Sequence, residues 1–234
     1  MRELRRNMIA GKESNYCTAC YKEEEVGHGS PRQTFNATYS KHYKYVKETK
    51  EDGTFERFNL VYWDFRLNNI CNFKCRMCEP YSSSELAKEL AEHDGYSFPG
   101  FGNETVIHSD QKQIEELKQL AHKIKALCFT GGEPFLQPNI VLEEFIALAI
   151  AEDFEVEAFS NGSFIYSQDA LKMVNFMMDW KLDGSGEGDT RLENRRMNAL
   201  NLKSGSGIKF VCKDEHDFQQ AMDVYNDLKN LVNP

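Results

Sequence analysis

From residue 59 onward, short apolar runs alternate with longer stretches whose apolar residues recur every three or four positions. Leu60-Val61-Tyr62-Trp63-Asp64-Phe65 is rich in aromatic and β-branched residues and predicts a first strand. Residues 110–125 carry Ile114, Leu117, Leu120, Ala121 and Ile124 at helical spacing. Ala126 to Thr130 predicts a second strand that runs into Gly131-Gly132. Residues 139–151 predict a helix with Val141, Leu142, Phe145, Ile146 and Ala149 inward. Phe154 to Phe159 reads as a third strand, ended by the turn signal Ser160-Asn161-Gly162. A short helix from about Asp169 leads to a fourth strand near Met177 to Leu182, closed by Asp183-Gly184-Ser185-Gly186. A helix over roughly 190–202 precedes a fifth strand, Ile208 to Cys212. A last helix, about Glu215 to Val232, carries Phe218, Ala221, Met222, Tyr225, Leu228 and Leu231 as its apolar stripe. The stretch 81–109 is poorly patterned and predicts one helix near 83–93, then a loop.

Repeated strand–helix units imply a parallel sheet with right-handed crossovers. Eight units close a full barrel. Five or six are visible here, so the expected fold is α/β, an open, partial βα barrel of five or six parallel strands over 59–234. Residues 1–58 read as a polar N-terminal extension, rich in Lys, Glu and Tyr. Active sites of such folds lie at the C-terminal ends of the strands. Four polar motifs follow predicted strands: a cysteine loop, Gly131-Gly132-Glu133-Pro134, Ser160-Asn161-Gly162 and Asp183-Gly184-Ser185-Gly186.

A chain of 234 residues, 41% hydrophobic and 28% charged, has the composition of a globular protein with one sizeable core. The net charge of −9 argues against tight sequence-independent nucleic-acid binding, although Arg2, Arg5 and Arg6 cluster at the start. No apolar run reaches the ~20 residues needed to span a bilayer, and Met-Arg-Glu-Leu-Arg-Arg lacks the core of a signal peptide. The seven cysteines are Cys17, Cys20, Cys71, Cys75, Cys78, Cys128 and Cys212. An odd count in tight clusters, with no export signal, points to reduced thiols, metal ligation and a cytoplasmic protein.

Cys71-Asn-Phe-Lys-Cys75-Arg-Met-Cys78 has the spacing C-x3-C-x2-C. Three thiolates suit an iron–sulfur cluster with one iron left open, and short spacing lets one loop wrap it. Structural zinc usually takes four ligands, and His93, the nearest later histidine, has no spaced partner. A non-catalytic zinc-binding module, using the acidic surface for a partner, is the competing class. The glycines of Gly131-Gly132-Glu133-Pro134 permit close backbone approach at a strand end. Taken alone, that motif and Ser160-Asn161-Gly162 also read as ordinary turns.

The cysteine loop, followed some fifty residues later by Gly-Gly-Glu-Pro, resembles the radical S-adenosylmethionine (SAM) enzymes. The resemblance implies a [4Fe–4S] cluster on Cys71, Cys75 and Cys78. The amino and carboxylate groups of SAM would chelate its fourth iron. Reductive cleavage of the sulfonium would then give a 5′-deoxyadenosyl radical that abstracts a hydrogen from substrate. A small-molecule or peptide substrate and an electron donor such as flavodoxin or ferredoxin are implied. Gly131, Gly132, Glu133 and Pro134 would meet the amino group of SAM, and Ser160 and Asn161 its carboxylate or ribose. Ser185, with Asp183 and Glu187, would face the ribose or substrate, or form a solvated acidic loop. Met77 stands where the family commonly has an aromatic residue against adenine, and its thioether can fill that contact.

Cys17-Thr-Ala-Cys20 and the segment to Arg32 resemble a region preceding the barrel in radical SAM proteins with a twitch domain, several from phages. A phage-encoded protein would work in the host cytoplasm. Longer relatives of this kind carry more cysteines upstream. A second metal at Cys17 and Cys20 needs further ligands such as His28, Cys128 or Cys212. The last two sit in predicted strands, where buried inert thiols are expected.

The C-terminal third resembles another branch. Asp179-Trp180-Lys181-Leu182-Asp183-Gly184-Ser185-Gly186-Glu187, Ile208-Lys209-Phe210-Val211, Asp217-Phe218 and Ala221 are similar to 7-carboxy-7-deazaguanine synthases. Those enzymes contract a pterin ring in deazapurine biosynthesis. Two of their features are absent from this sequence: a Gln-Gly-Glu-Gly run, and an Asp-Thr after the last cysteine that assists magnesium. Glu79-Pro80 stands in the latter place.

Overall fold

The computed structural model describes residues 2–56, 59–66, 68–97, 111–136 and 139–232, without the side chains of 111, 113, 139–141 and 232. The chain forms two compact units, Met1–Val61 and Tyr62–Pro234.

The first unit is helical: α1 (Arg2–Ile9), α2 (Thr18–Glu25) and α3 (Pro31–Thr38), with 3-10 turns at Asn15–Cys17 and Ser40–Glu48. Local chemistry starts α3. Ser30 and Gln33 form a reciprocal capping box, and Pro31 occupies the first turn, where no N–H is missed. Arg32 pairs with Glu24 and lies over the Tyr21 ring, 5.1 Å from its centroid. None of these three helices has a fully buried residue.

The second unit is built on a parallel sheet of five strands: β1 (Leu60–Arg66), β2 (Ile124–Thr130), β3 (Glu155–Ser160), β4 (Val174–Trp180) and β5 (Gly207–Phe210). They lie in chain order, as same-handed crossovers require. Register aligns Phe129 with Ala158, Phe159 with Met177, and Asp179 with Lys209. Side chains alternate across the sheet. Val156 and Ala158 on β3 are buried on one face, as are Val174, Phe176, Met178 and Trp180 on β4. The opposite face carries Phe159, Met177 and Asp179 and stays partly open.

The crossover helices are α4 (Ser84–Asp94), α5 (Gln111–Leu120), α6 (Asn139–Glu152), α7 (Gln168–Met173) and α8 (Leu192–Asn201), and α9 (Glu215–Val232) closes the chain. Leu117, Phe145 and Leu127 are fully buried and anchor the core. Burying each such side chain is worth ~1.5–3 kcal/mol. Ser83 caps α4 by accepting from the Leu86 N–H, and Gly95 ends it in the left-handed region.

The differences from expectation have local causes. Strand β4 starts at Val174, where α7 passes directly into it, and Lys181 and Leu182 lie beyond its end. The helical stripe of 110–125 breaks at Leu120, a 3-10 turn spans Ala121–Lys123, and Ile124 already begins β2. Strand β5 stops at Phe210, so Cys212 is exposed rather than buried. Of the α9 stripe only Ala221 is buried, whereas Phe218, Met222, Tyr225 and Leu231 are exposed. Among the described residues the sheet has five strands, within the expected five or six. The loop expected toward residue 109, the start of the helix at 110, and the inward side chain of Val141 lie outside the described residues.

Candidate active site

The cysteine loop runs between β1 and α4 and is held by the side chains around it. Ser83 Oγ donates to the Phe73 carbonyl at 2.6 Å, so the serine that caps α4 also fixes the loop. Ser84 Oγ accepts from the Cys71 N–H at 3.3 Å. Within the loop the Cys78 N–H turns back to the Cys75 carbonyl at 2.9 Å. Asn161, at the end of β3, donates from Nδ2 to Asn72 Oδ1 at 3.1 Å and to Cys71 Sγ at 3.7 Å.

All three thiols line one cavity of about 320 Å³, together with Met77, Gly131, Gly132, Ser160 and Asn161. The wall toward β4 and β5 is Phe159, Asp179, Lys181, Lys209 and Val211. Burial pushes the Cys71 thiol up to about 12 and raises Cys75 and Cys78 as well, with nearby Lys181 opposing the rise in the last two. Buried thiols of this kind release their protons when a metal supplies the positive charge.

Gly131 and Gly132 follow β2 with φ of 73° and 61°. A Cβ on Gly132 would sit 2.5 Å from the Ile70 carbonyl oxygen, so the chain can pass there only as glycine. The Glu133 N–H donates to that carbonyl at 2.8 Å, and the Gly132 N–H to the Ser82 carbonyl at 3.1 Å. The glycine edge is thereby sewn to both ends of the cysteine loop.

Glu133 is fully buried behind this edge. Its carboxylate accepts from Ser160 Oγ at 2.9 Å, the Asn161 N–H at 2.7 Å and the Phe135 N–H at 3.2 Å. Burial raises it to about 7, against the opposing pull of those donors and of Lys181. Tyr166 donates to Ser160 Oγ at 2.8 Å and is stacked on Phe176 at 4.1 Å, so the rotamer of Ser160 is fixed from both sides.

The charged wall comes from strand register. Asp179 stands opposite Lys209, with Oδ1 2.8 Å from Lys209 Nζ and Oδ2 3.2 Å from Lys181 Nζ. Burial alone would lower Lys181, but the attraction of Asp179 and Cys75 outweighs it and the ammonium is held above its ordinary range.

The loop after β4 is turned inward on itself. Ser185 is buried, its Oγ donating to the Leu182 carbonyl at 2.6 Å and accepting from the Glu187 N–H at 3.1 Å. Asp217 on α9 caps the loop, accepting from the Gly184 N–H at 2.9 Å. Ser185, Glu133 and Pro134 do not line the cavity, and Pro134 is buried in a 3-10 turn behind Glu133. Cys17 and Cys20 belong to the first unit. Cys128 is buried on β2, where desolvation drives its thiol to about 12. Among the described residues no three His, Cys, Asp or Glu side chains converge as ligands of a single metal ion.

Sequence reading gave Phe159 and Tyr166 no part in this site, and placed Asp179, Lys181 and Lys209 only within runs that resemble 7-carboxy-7-deazaguanine synthases. The signal for Asp179 was the placement of a carboxylate one residue before a strand end, flanked by lysines on neighbouring ends.

Residues 65–233 match the family model of the Radical SAM superfamily, and the chain belongs to that superfamily. It is also similar to the 7-carboxy-7-deazaguanine synthase of Clostridium acetobutylicum, with 28% identity over 158 residues. That similarity covers 66% of this chain and 61% of the relative. Among the described residues no helix is long and apolar enough to cross a membrane.

Proposed function

We propose that this protein is a radical SAM enzyme in which Cys71, Cys75 and Cys78 hold a [4Fe–4S] cluster. The observation that carries this reading is the meeting of three thiols and the Gly131-Gly132 edge in one cavity at the C-terminal ends of parallel strands. A cube of irons offers each thiolate its own iron, so three thiols around one cavity supply its ligands and leave the fourth iron open. When bound, the cluster and SAM supply a one-electron cleavage of the sulfonium and the means to abstract a hydrogen from substrate.

The chain's own residues bind and orient. The backbone of Gly131 and Gly132 presents an edge to the amino group of SAM, with Glu133 fixing that edge from behind together with Pro134. Ser160 and Asn161 close the methionine end, and Met77 covers the adenine side. Asn161 also steadies Cys71 by its amide contact. Lys181 and Lys209 set two cations against one carboxylate in the far wall, which favours an anionic group there. Ser185 shapes the loop that carries Lys181 into place. An electron donor of the flavodoxin or ferredoxin kind is required, and Cys17 and Cys20 are candidates for two ligands of a second metal.

A second reading names the substrate. Similarity to the Clostridium relative, together with the run Asp179 to Glu187, favours a 7-carboxy-7-deazaguanine synthase-like reaction on a pterin. Peptide substrates, as in twitch-domain proteins, are the alternative that the Cys17–Cys20 segment supports.

The test is anaerobic reconstitution with iron and sulfide, then dithionite and SAM, with 5′-deoxyadenosine read by chromatography. Product that disappears in Cys75→Ala supports the enzyme, and 6-carboxytetrahydropterin is then the first substrate to add. Zinc binding with no iron uptake and no 5′-deoxyadenosine would instead make the protein a metal-binding module.

A further inference from the structure

The loop after β4 grips the cysteine loop at two backbone positions. Glu187 Oε1 accepts from the Lys74 N–H at 2.8 Å, across 113 positions of sequence. The Ser185 carbonyl accepts from the Arg76 N–H at 3.1 Å. Lys74 and Arg76 are the neighbours of Cys75, so one loop holds the chain on both sides of the middle cysteine.

That loop is itself anchored. Thr190 Oγ1 donates to Glu187 Oε2 at 2.8 Å, which leaves Oε1 aimed at Lys74. Arg195 on α8 is fully buried and donates to the carbonyls of Lys181 and Glu187, each at 3.4 Å, and to that of Gly188. Its guanidinium lies 5.7 Å from the centre of the Trp180 ring. A buried guanidinium is costly unless its donors are met, and the carbonyls of Lys181, Glu187 and Gly188 meet them only while the loop keeps this shape.

We infer that Glu187 is a positioning residue for the cluster: it fixes the Lys74 peptide, and through it the Cys75 thiol. The inference rests on the reading that the cluster sits on Cys71, Cys75 and Cys78. The bond is charge-assisted and therefore stronger than a peptide–peptide bond. Within Cys71–Cys78 the described backbone-to-backbone bonds close only the Cys78-to-Cys75 turn; Ser83 and Ser84 hold the loop at Phe73 and Cys71, and the loop after β4 holds it on either side of Cys75. With Glu187 in place, the geometry that three thiols must share is set before any iron arrives. The carboxylate acts on the cysteine backbone and not on SAM or substrate.

The test compares Glu187→Ala, Glu187→Gln and Cys75→Ala with the unaltered full chain after anaerobic reconstitution. Iron and sulfide content, the rate of cluster loss to a ferrous chelator at absorbance near 400 nm, the paramagnetic spectrum of the reduced cluster, and the melting temperature of the cluster-free protein are read. Glu187→Ala should lose its cluster about tenfold faster, the scale of one charge-assisted hydrogen bond, and should broaden the spectrum. Glu187→Gln keeps a side-chain oxygen that accepts from the Lys74 N–H and should restore most of the retention. The cluster-free melting temperature should fall by no more than about 4 °C in either variant, the scale of a single hydrogen bond in a chain of this size.

Retention in Glu187→Ala equal to that of the unaltered chain overturns the inference, while loss in Cys75→Ala beside it leaves the cluster reading standing. A cluster-free melting temperature that falls by about 10 °C or more in Glu187→Ala also overturns it, because cluster loss would then follow from a damaged fold and not from a displaced Cys75. Failure of the unaltered chain to take up any cluster sinks both.

Discussion

Ser160 Oγ donates a hydrogen bond to Glu133 Oε1 at 2.9 Å, tying the end of β3 to the turn after β2 across 27 positions of sequence. The same carboxylate takes the backbone N–H groups of Asn161 and Phe135. Replacing Glu133 with alanine strands all three donors in a buried place. Each stranded group costs ~1–3 kcal/mol, with some recovered by relaxation. Glu133→Ala should therefore lose ~3–5 kcal/mol of stability in urea unfolding of the cluster-free protein. A loss below ~1 kcal/mol would show that the three donors find other partners.

The titration of Glu133 gives stability a pH dependence of known sign. Burial holds the carboxyl at about 7 in the folded protein, against 4.5 for an exposed glutamate. Between those two values the folded chain keeps a proton that the unfolded chain has released. Stability of the cluster-free protein should accordingly fall as pH rises from 4.5 to about 7 and level off above it. The gap corresponds to ~3 kcal/mol. Glu133→Gln cannot ionise and should flatten this window. Urea midpoints at pH 5, 6, 7 and 8 for both proteins decide the matter, and parallel curves would assign the slope to other groups.

Gly132 and Gly95 make a matched pair for testing the glycine edge. Both have positive φ, 61° and 66°. A left-handed backbone costs an L-residue ~1–2 kcal/mol, and that is the whole expected effect of Gly95→Ala, where a Cβ meets nothing within 4 Å. At Gly132 the Cβ falls 2.5 Å from the Ile70 carbonyl oxygen and 3.0 Å from Asn69 backbone carbon. Something in the backbone must move, and the Glu133-to-Ile70 hydrogen bond is in the way. Gly132→Ala should cost at least ~2 kcal/mol more than Gly95→Ala in the same unfolding assay, and should lower iron uptake where Gly95→Ala does not.

Parts of this architecture were legible in the sequence because their causes are local. Strands β2 and β3 end at Thr130 and Ser160, and the turn chemistry of Gly131-Gly132 and Ser160-Asn161-Gly162 marks those ends to within a residue. The three cysteines and the glycine edge declared themselves by spacing. The Asp179–Lys209 pair did not, because it exists only in the β4–β5 register. Arg195 reads in sequence as a surface position on a polar helix, yet it is buried among loop carbonyls. Helices α1 to α3 are short and bury no side chain fully, so they carry no long apolar stripe, although Leu4 and Met8 stand one turn apart on α1 and Ser30-Pro31-Arg32-Gln33 is a start signal that could have placed α3. The α9 stripe misled in the opposite direction, being apolar in sequence and largely exposed in the fold.

Asn161 separates the folding role of the β3 end from its role beside Cys71, the first of the three proposed cluster ligands. Its Oδ1 accepts from the Ser163 N–H at 2.9 Å and shapes the turn. Its Nδ2 faces Asn72 and the sulfur of Cys71. Asn161→Asp keeps the acceptor for the turn but replaces the donor with an anion beside a group that must become a thiolate. Like charges at this range oppose ionisation, here of a thiol that burial already holds at about 12. Asn161→Asp should melt within a few degrees of the unaltered chain at pH 8, yet bind iron roughly tenfold more weakly on reconstitution. Asn161→Ala removes both contacts and should lose stability by ~1–2 kcal/mol as well. If Asn161→Asp takes up iron as readily as the unaltered chain, the amide beside Cys71 serves the turn alone.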